Sequence, residues 1–130
     1  MRITYPVLVI IVLFAGCQSA PTNDVATAQA ERTKIQFSLD AIRTDGLRGP
    51  ADGLTSVAYE FCVPTDDTIY AEVRAIDPSV KFYRSSPGRI GCQTEQTLCI
   101  GDTHQHDWNA KLLTLAALPY INEIRECHFE

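Results

Sequence analysis

Apolar and polar residues alternate in short blocks along most of this chain, and two blocks carry a helical period instead. From Leu54 to Val63, Val57, Tyr59, Phe61 and Val63 fall on one side of an extended chain. Ala58, Glu60 and Cys62 fall on the other, which predicts a strand that Pro64 ends. Thr65 then stands as an N-cap, with Asp66 and Asp67 complementing the helix dipole in the first turn. Ile69, Val73 and Ile76 recur at i, i+4 and i+7, so an amphipathic helix follows. Asp77-Pro78 closes it, because proline disfavours helical geometry in the residue before it. Next come a short strand over 79–84 with Val80 and Phe82 inward, a loop over 85–91, and a strand over 95–101 with Leu98 and Ile100 inward. Trp108, Leu112, Leu115, Ala116 and Leu118 make a second amphipathic helix up to Pro119. Residues 120–129 read as a last strand, whose irregular alternation suits a bulge.

Ahead of these blocks, 34–42 fits both periods. A strand is preferred, because a helix on Ile35, Leu39 and Ile42 leaves Phe37 exposed. Residues 43–53 hold Asp-Gly, Arg-Gly-Pro and a second Asp-Gly, the chemistry of turns. Residues 18–33 are small and polar with no sustained apolar face, as in a flexible tether. From 54 onward the order is strand, helix, strand, strand, helix, strand. That is the ferredoxin-like split βαβ arrangement, here with 34–42 as an additional N-terminal strand in one α+β domain over 34–130. Two right-handed crossovers put both helices on one face of an antiparallel sheet and leave the other face uncovered. The first strand of the motif then lies between the third and the fourth.

The chain opens differently. Met1 and Arg2 precede an unbroken apolar run from Val7 to Phe14, then Ala15, Gly16 and Cys17. The run is too short for a membrane-spanning helix, which needs about 20 apolar residues, and has the shape of an export signal. The string small-small-Cys directly after it resembles the lipobox of bacterial lipoproteins. The resemblance rests on the first 20 residues alone, and Phe14 stands where that family prefers Leu. It implies that 1–16 are a signal peptide removed in the mature chain. Cys17 becomes the first residue, carries acyl chains such as palmitate, and heads the tether over 17–33. Gln18 in place of Asp implies sorting to the outer membrane, facing the periplasm. An ordinary cleaved signal without lipid is the competing reading, and an uncleaved anchor is a third.

Length and composition suit one globular domain: 130 residues, 45% of them apolar and 21% charged. Without 1–16, which carry Arg2, ten Lys and Arg face sixteen Asp and Glu, a formal charge of −6. An acidic chain without a basic cluster argues against nucleic acid and against docking by charge on anionic lipid. Membrane contact is expected through the N-terminal lipid alone.

Besides Cys17, four cysteines remain: Cys62, Cys92, Cys99 and Cys127. An even count in an exported domain favours disulfides over free thiols or a metal site, and four cysteines allow three pairings. The expected topology brings Cys62 toward Cys92, the favoured bridge, with Cys92–Cys99 the runner-up. It holds Cys99 and Cys127 on strands about 9.5 Å apart, beyond the roughly 7 Å a disulfide spans.

Two polar stretches hold candidate chemistry. Asp102, His104, His106 and Asp107 combine two histidines and two carboxylates, a set able to bind a divalent metal. Their spacing is similar to the start of the HxHxDH string of metallo-β-lactamase-like hydrolases, but Asp107 comes too early and no histidine follows. The bland reading is a polar helix entry with Asp107 as N-cap and both histidines in solvent. In the 84–91 loop, Gly88 and Gly91 offer backbone N–H groups, and Arg84 and Arg89 suit a carboxylate or phosphate. The bland reading there is a hairpin loop that needs glycine to turn. Glu60 and Glu72 are a weaker carboxylate pair. GxSxG, CxxC and the P-loop are all absent. The expectation is a membrane-anchored envelope lipoprotein with a binding domain and no cofactor, whose partner is an envelope protein or component. The uncovered sheet face is where contact with that partner is expected, and it would also suit a homodimer. The alternative is a metal- or anion-binding domain, with hydrolysis as its candidate chemistry, built on the Asp102–Asp107 cluster.

Overall fold

A computed structural model describes residues 23–129, so the expected signal peptide and Cys17 lie outside the described residues. The elements are α1 (Asn23–Lys34), β1 (Leu47–Arg48), β2 (Thr55–Ser56), β3 (Ala58–Pro64) and α2 (Asp67–Ile76). They continue with β4 (Lys81–Tyr83), β5 (Gln96–Asp102), α3 (Trp108–Ala117) and β6 (Arg125–Glu126). The described residues are mixed α+β, with three helices and two antiparallel sheets. One sheet is the small β1–β2 ribbon; the other has the order β4-β5-β3-β6. β3 is therefore central, paired with β5 on one side and β6 on the other.

Strand alternation explains the core. Tyr59, Phe61 and Val63 project from one face of β3, level with Gly101, Cys99 and Thr97 of β5. Against that face α2 sets Tyr70 and Val73, and α3 sets Trp108, Leu112, Leu115 and Ala116. Ile121 and Ile124 complete the cluster. Fully burying one such aliphatic or aromatic side chain is worth about 1.5–3 kcal/mol, so this face holds most of the hydrophobic stabilisation.

Several expectations are corrected. Residues 23–34 are helical, not an extended tether: Ala, Gln and Glu are good helix formers, and the exposed α1 packs on α3. The additional N-terminal strand over 34–42 is absent. Only Ile35 bridges Ile124, in parallel, although Ile35, Phe37 and Leu39 do alternate inward as read. The strand from Leu54 breaks at Val57, where the chain leaves the ribbon for the larger sheet. Asp66, not Thr65, caps α2, its carboxylate accepting from the N–H groups of Thr68 and Ile69. The last strand shrinks to β6, because Ile121 and Ile124 bury themselves in a turn-rich approach to it.

The phase of β5 is also inverted. Thr97 and Cys99 face the helices, and Leu98 and Ile100 lie on the opposite side with Glu60 and Cys62. Alternation misled here because Leu98 and Cys99 are both buried: both faces of β5 are covered.

Candidate functional site

The 102–107 segment does not gather its four candidate ligands. The Asp102 carboxylate accepts from Ser56 Oγ at 2.8 Å and from the backbone N–H of His104 at 2.7 Å. His104 turns its ring to the carbonyl of Asp45, 3.1 Å away. His106 sits in solvent, 3.3 Å from Asp107. Among the described residues, no group of three or more His, Cys, Asp or Glu side chains is placed to hold a metal ion. Asp107 does occupy the N-cap position of α3, but with φ +54° and no capping hydrogen bond from its side chain. The segment's anchor is a residue sequence reasoning passed over. Buried Thr103 accepts the Val57 N–H at 2.9 Å and donates to the Gly46 carbonyl at 2.6 Å, tying three segments together. Gly46, at φ +82°, lies so close to Thr103 that no side chain fits there.

The second candidate segment lies in the loop from 84 to 95, between β4 and β5. Arg84 turns away to Asp67, at 2.9 Å, and stacks over Tyr70. Gly88 and Gly91 adopt φ of +61° and +82°, the turn role of the bland reading. The loop instead folds across the sheet face expected to be open. A disulfide joins Cys62 on β3 to Cys92, the favoured pairing, while Cys99 and Cys127 are free thiols. Closing this 30-residue separation stabilises the fold by about 3 to 4 kcal/mol in the loop-entropy view. Beneath the loop, Glu60 is 2% exposed and Leu98 is 3% exposed. Glu60 accepts the Ile90 N–H at 2.7 Å, and Gly88 rests against Leu98. Cys127, on the same face, has its thiol pKa pushed up by burial and by Glu60, with Arg89 opposing. The Cys99 thiol, deep on the helix side, is pushed up to about 12 by burial. Neither environment favours a thiolate nucleophile.

A polar network on the helix side was not anticipated. Asp77, fully buried at the end of α2, accepts from Tyr59 Oη, from Ser79 N–H and Oγ at 3.0 and 2.7 Å, and from Gln105 Nε2 at 2.9 Å. Lys111 Nζ donates in turn to Gln105 Oε1 at 3.0 Å. Burial, then the charge of Asp77, raises the Tyr59 pKa far above its ordinary value. A buried carboxylate with this many donors is a structural knot joining β3, the end of α2, the turn before β4, the end of β5 and α3. The only advance signal was Asp77-Pro-Ser after a helical run, the mark of an Asx turn.

A groove of about 760 Å³ lies where the 39–44 segment meets the start of α3. Leu39, Ile42 and Trp108 line it together with Arg32, Asp40 and His106. The Trp108 indole N–H donates to the Arg43 carbonyl at 3.0 Å, which fixes that wall. Of the sequence candidates, only His106 and Asp107 reach this groove. No family model, curated protein or solved structure matches the chain.

Proposed function

We propose that the chain is a bacterial envelope lipoprotein, anchored by lipid on Cys17, whose small domain binds an envelope partner. The observation that carries this reading is Cys17 directly behind Ala15, Gly16 and an apolar run, ahead of a disulfide-bearing domain. A disulfide belongs to an oxidising compartment, which agrees with export. The outer membrane, facing the periplasm, is the location that Gln18 favours. The order from β3 onward, with β3 between β5 and β6, supports a ferredoxin-like split βαβ domain. The groove beside α3 is the proposed docking place, since its apolar and aromatic lining with charges of both signs suits a polypeptide partner.

Fractionation tests the anchor. The native chain sediments with membranes and its mature form begins at an acylated Cys17, whereas Cys17→Ser is released in soluble or unprocessed form. A Cys17→Ser chain that is processed and membrane-bound like the native one overturns the anchor. Photo-crosslinking in intact cells tests the groove. A crosslinker at the exposed Asn109 is expected to give a discrete adduct that one at the exposed Thr68 of α2 does not. Equal adducts from both positions, or none, move the docking place elsewhere.

A further inference from the structure

The 84–95 loop holds its own shape but grips the sheet at few points. Its internal hydrogen bonds run from Gly91 and Cys92 N–H to the Pro87 carbonyl, at 3.1 and 2.7 Å. Cys92 is its one buried residue; Gly88, Ile90 and no other loop residue are half-buried. Its ends are tied down by Arg84 to Asp67 at 2.9 Å, by the Gln93 N–H to Gln96 Oε1 at 2.9 Å and by the Thr65 N–H to the Glu95 carbonyl at 3.1 Å. Between those ends it is held over the sheet face by the Ile90–Glu60 hydrogen bond, the contact of Gly88 with Leu98 and the disulfide. Two cavities flank that disulfide. Cys62 lines one of about 190 Å³ with Ile90 and Gly91, and Cys92 lines one of about 260 Å³ with Pro87. The bridge is thus approachable from two sides, and what it pins over the sheet is a face bearing Glu60, Leu98 and Cys127.

We propose that the 84–95 loop is a cover tethered by the Cys62–Cys92 bridge, and that reduction by a dithiol donor lifts it and opens the sheet face beneath. In the opening step a thiolate of the donor attacks one bridge sulfur and forms a mixed disulfide. The other sulfur leaves as a thiolate and takes up a proton. The donor's second thiol then displaces the mixed disulfide and leaves as the oxidised donor. Cys62 and Cys92 are each left as thiols, reduced by two electrons in total. Gly88 and Gly91, both at positive φ, lie within the segment that moves. The inference does not depend on how the chain is anchored.

Hydrogen exchange on the full chain in detergent tests it, before and after treatment with dithiothreitol. The same measurement on a Cys62→Ser, Cys92→Ser double variant repeats the test without a reductant. Opening is expected to speed exchange at the Ile90 amide and iodoacetamide labelling of Cys127, each by about tenfold or more. The amides of β3 and β5 are expected to stay protected. Three results overturn the proposal. The bridge resists dithiothreitol, or Ile90 and Cys127 are unchanged once it is cut. In the third, β3 and β5 lose protection together with Ile90, which makes the bridge a staple of the whole fold rather than a tether.

Discussion

The two faces of the larger sheet are held by different physics. On one, α2 and α3 press Val73, Leu112 and Leu115 onto Tyr59, Phe61 and Val63, and the attachment is hydrophobic burial. On the other, a largely exposed loop is anchored at its ends to Asp67 and Thr65 and lies over Glu60 and Leu98 through the Ile90 hydrogen bond, the Gly88 contact and a covalent bridge. Burial is spread over many contacts and is lost only with cooperative unfolding. A cover held over the sheet at a few discrete points can be lost by itself. The difference teaches where this protein can change without unfolding.

The sharpest way to break the comparison is to remove equal chemistry from each face. Leu112→Ala empties the helix-covered face and is expected to lower stability by about 3–5 kcal/mol in urea denaturation. Leu98→Ala, beneath the loop, is expected to lie near the low end of the core range, about 2 kcal/mol, because the cover can settle into the space. Equal losses from the two variants mean that the loop is packed as firmly as the helices.

The smallest effect concerns the margin between the faces, where Arg48 from the ribbon forms a two-armed ion pair with Glu126 of β6. The hydrogen bonds from Arg48 hold the Glu126 carboxyl below its ordinary value of 4.5, and partial burial opposes them. A carboxylate whose folded pKa is depressed adds stability above its unfolded pKa and loses it as pH falls through the folded value. Arg48→Ala is therefore expected to cost about 0.5–1 kcal/mol at neutral pH, the scale of a solvent-screened pair. The variant and the native chain are expected to converge in urea midpoint as the pH drops below that of Glu126. A difference that persists in acid assigns the effect to packing of the Arg48 stem instead.

Local pattern made the central elements legible. The Tyr59, Phe61, Val63 alternation, the Ile69 and Val73 face and the Trp108, Leu112, Leu115 face all lie where the periodicity placed them. The Cys62–Cys92 bridge followed from strand order. What escaped was whatever depends on distant partners. The cover over the second face hid which side of β5 was inward. Tyr59, Asp77, Ser79 and Gln105 meet in space without any spacing that announces it. The His-rich segment drew attention by composition, yet its structural work falls to Thr103, whose hydroxyl means nothing until Val57 and Gly46 arrive beside it.

Gly101 faces Tyr59 directly across β5 and β3, and a methyl group there would lie 2.5 Å from the tyrosine ring. The two positions share one allotment of volume: the ring occupies what the glycine leaves empty. They are therefore free to change only as a pair. A descendant of this chain that acquires a side chain at 101 must first surrender the ring at 59. With the ring goes the hydroxyl that Asp77 holds, so the exchange reaches three residues in a fixed order.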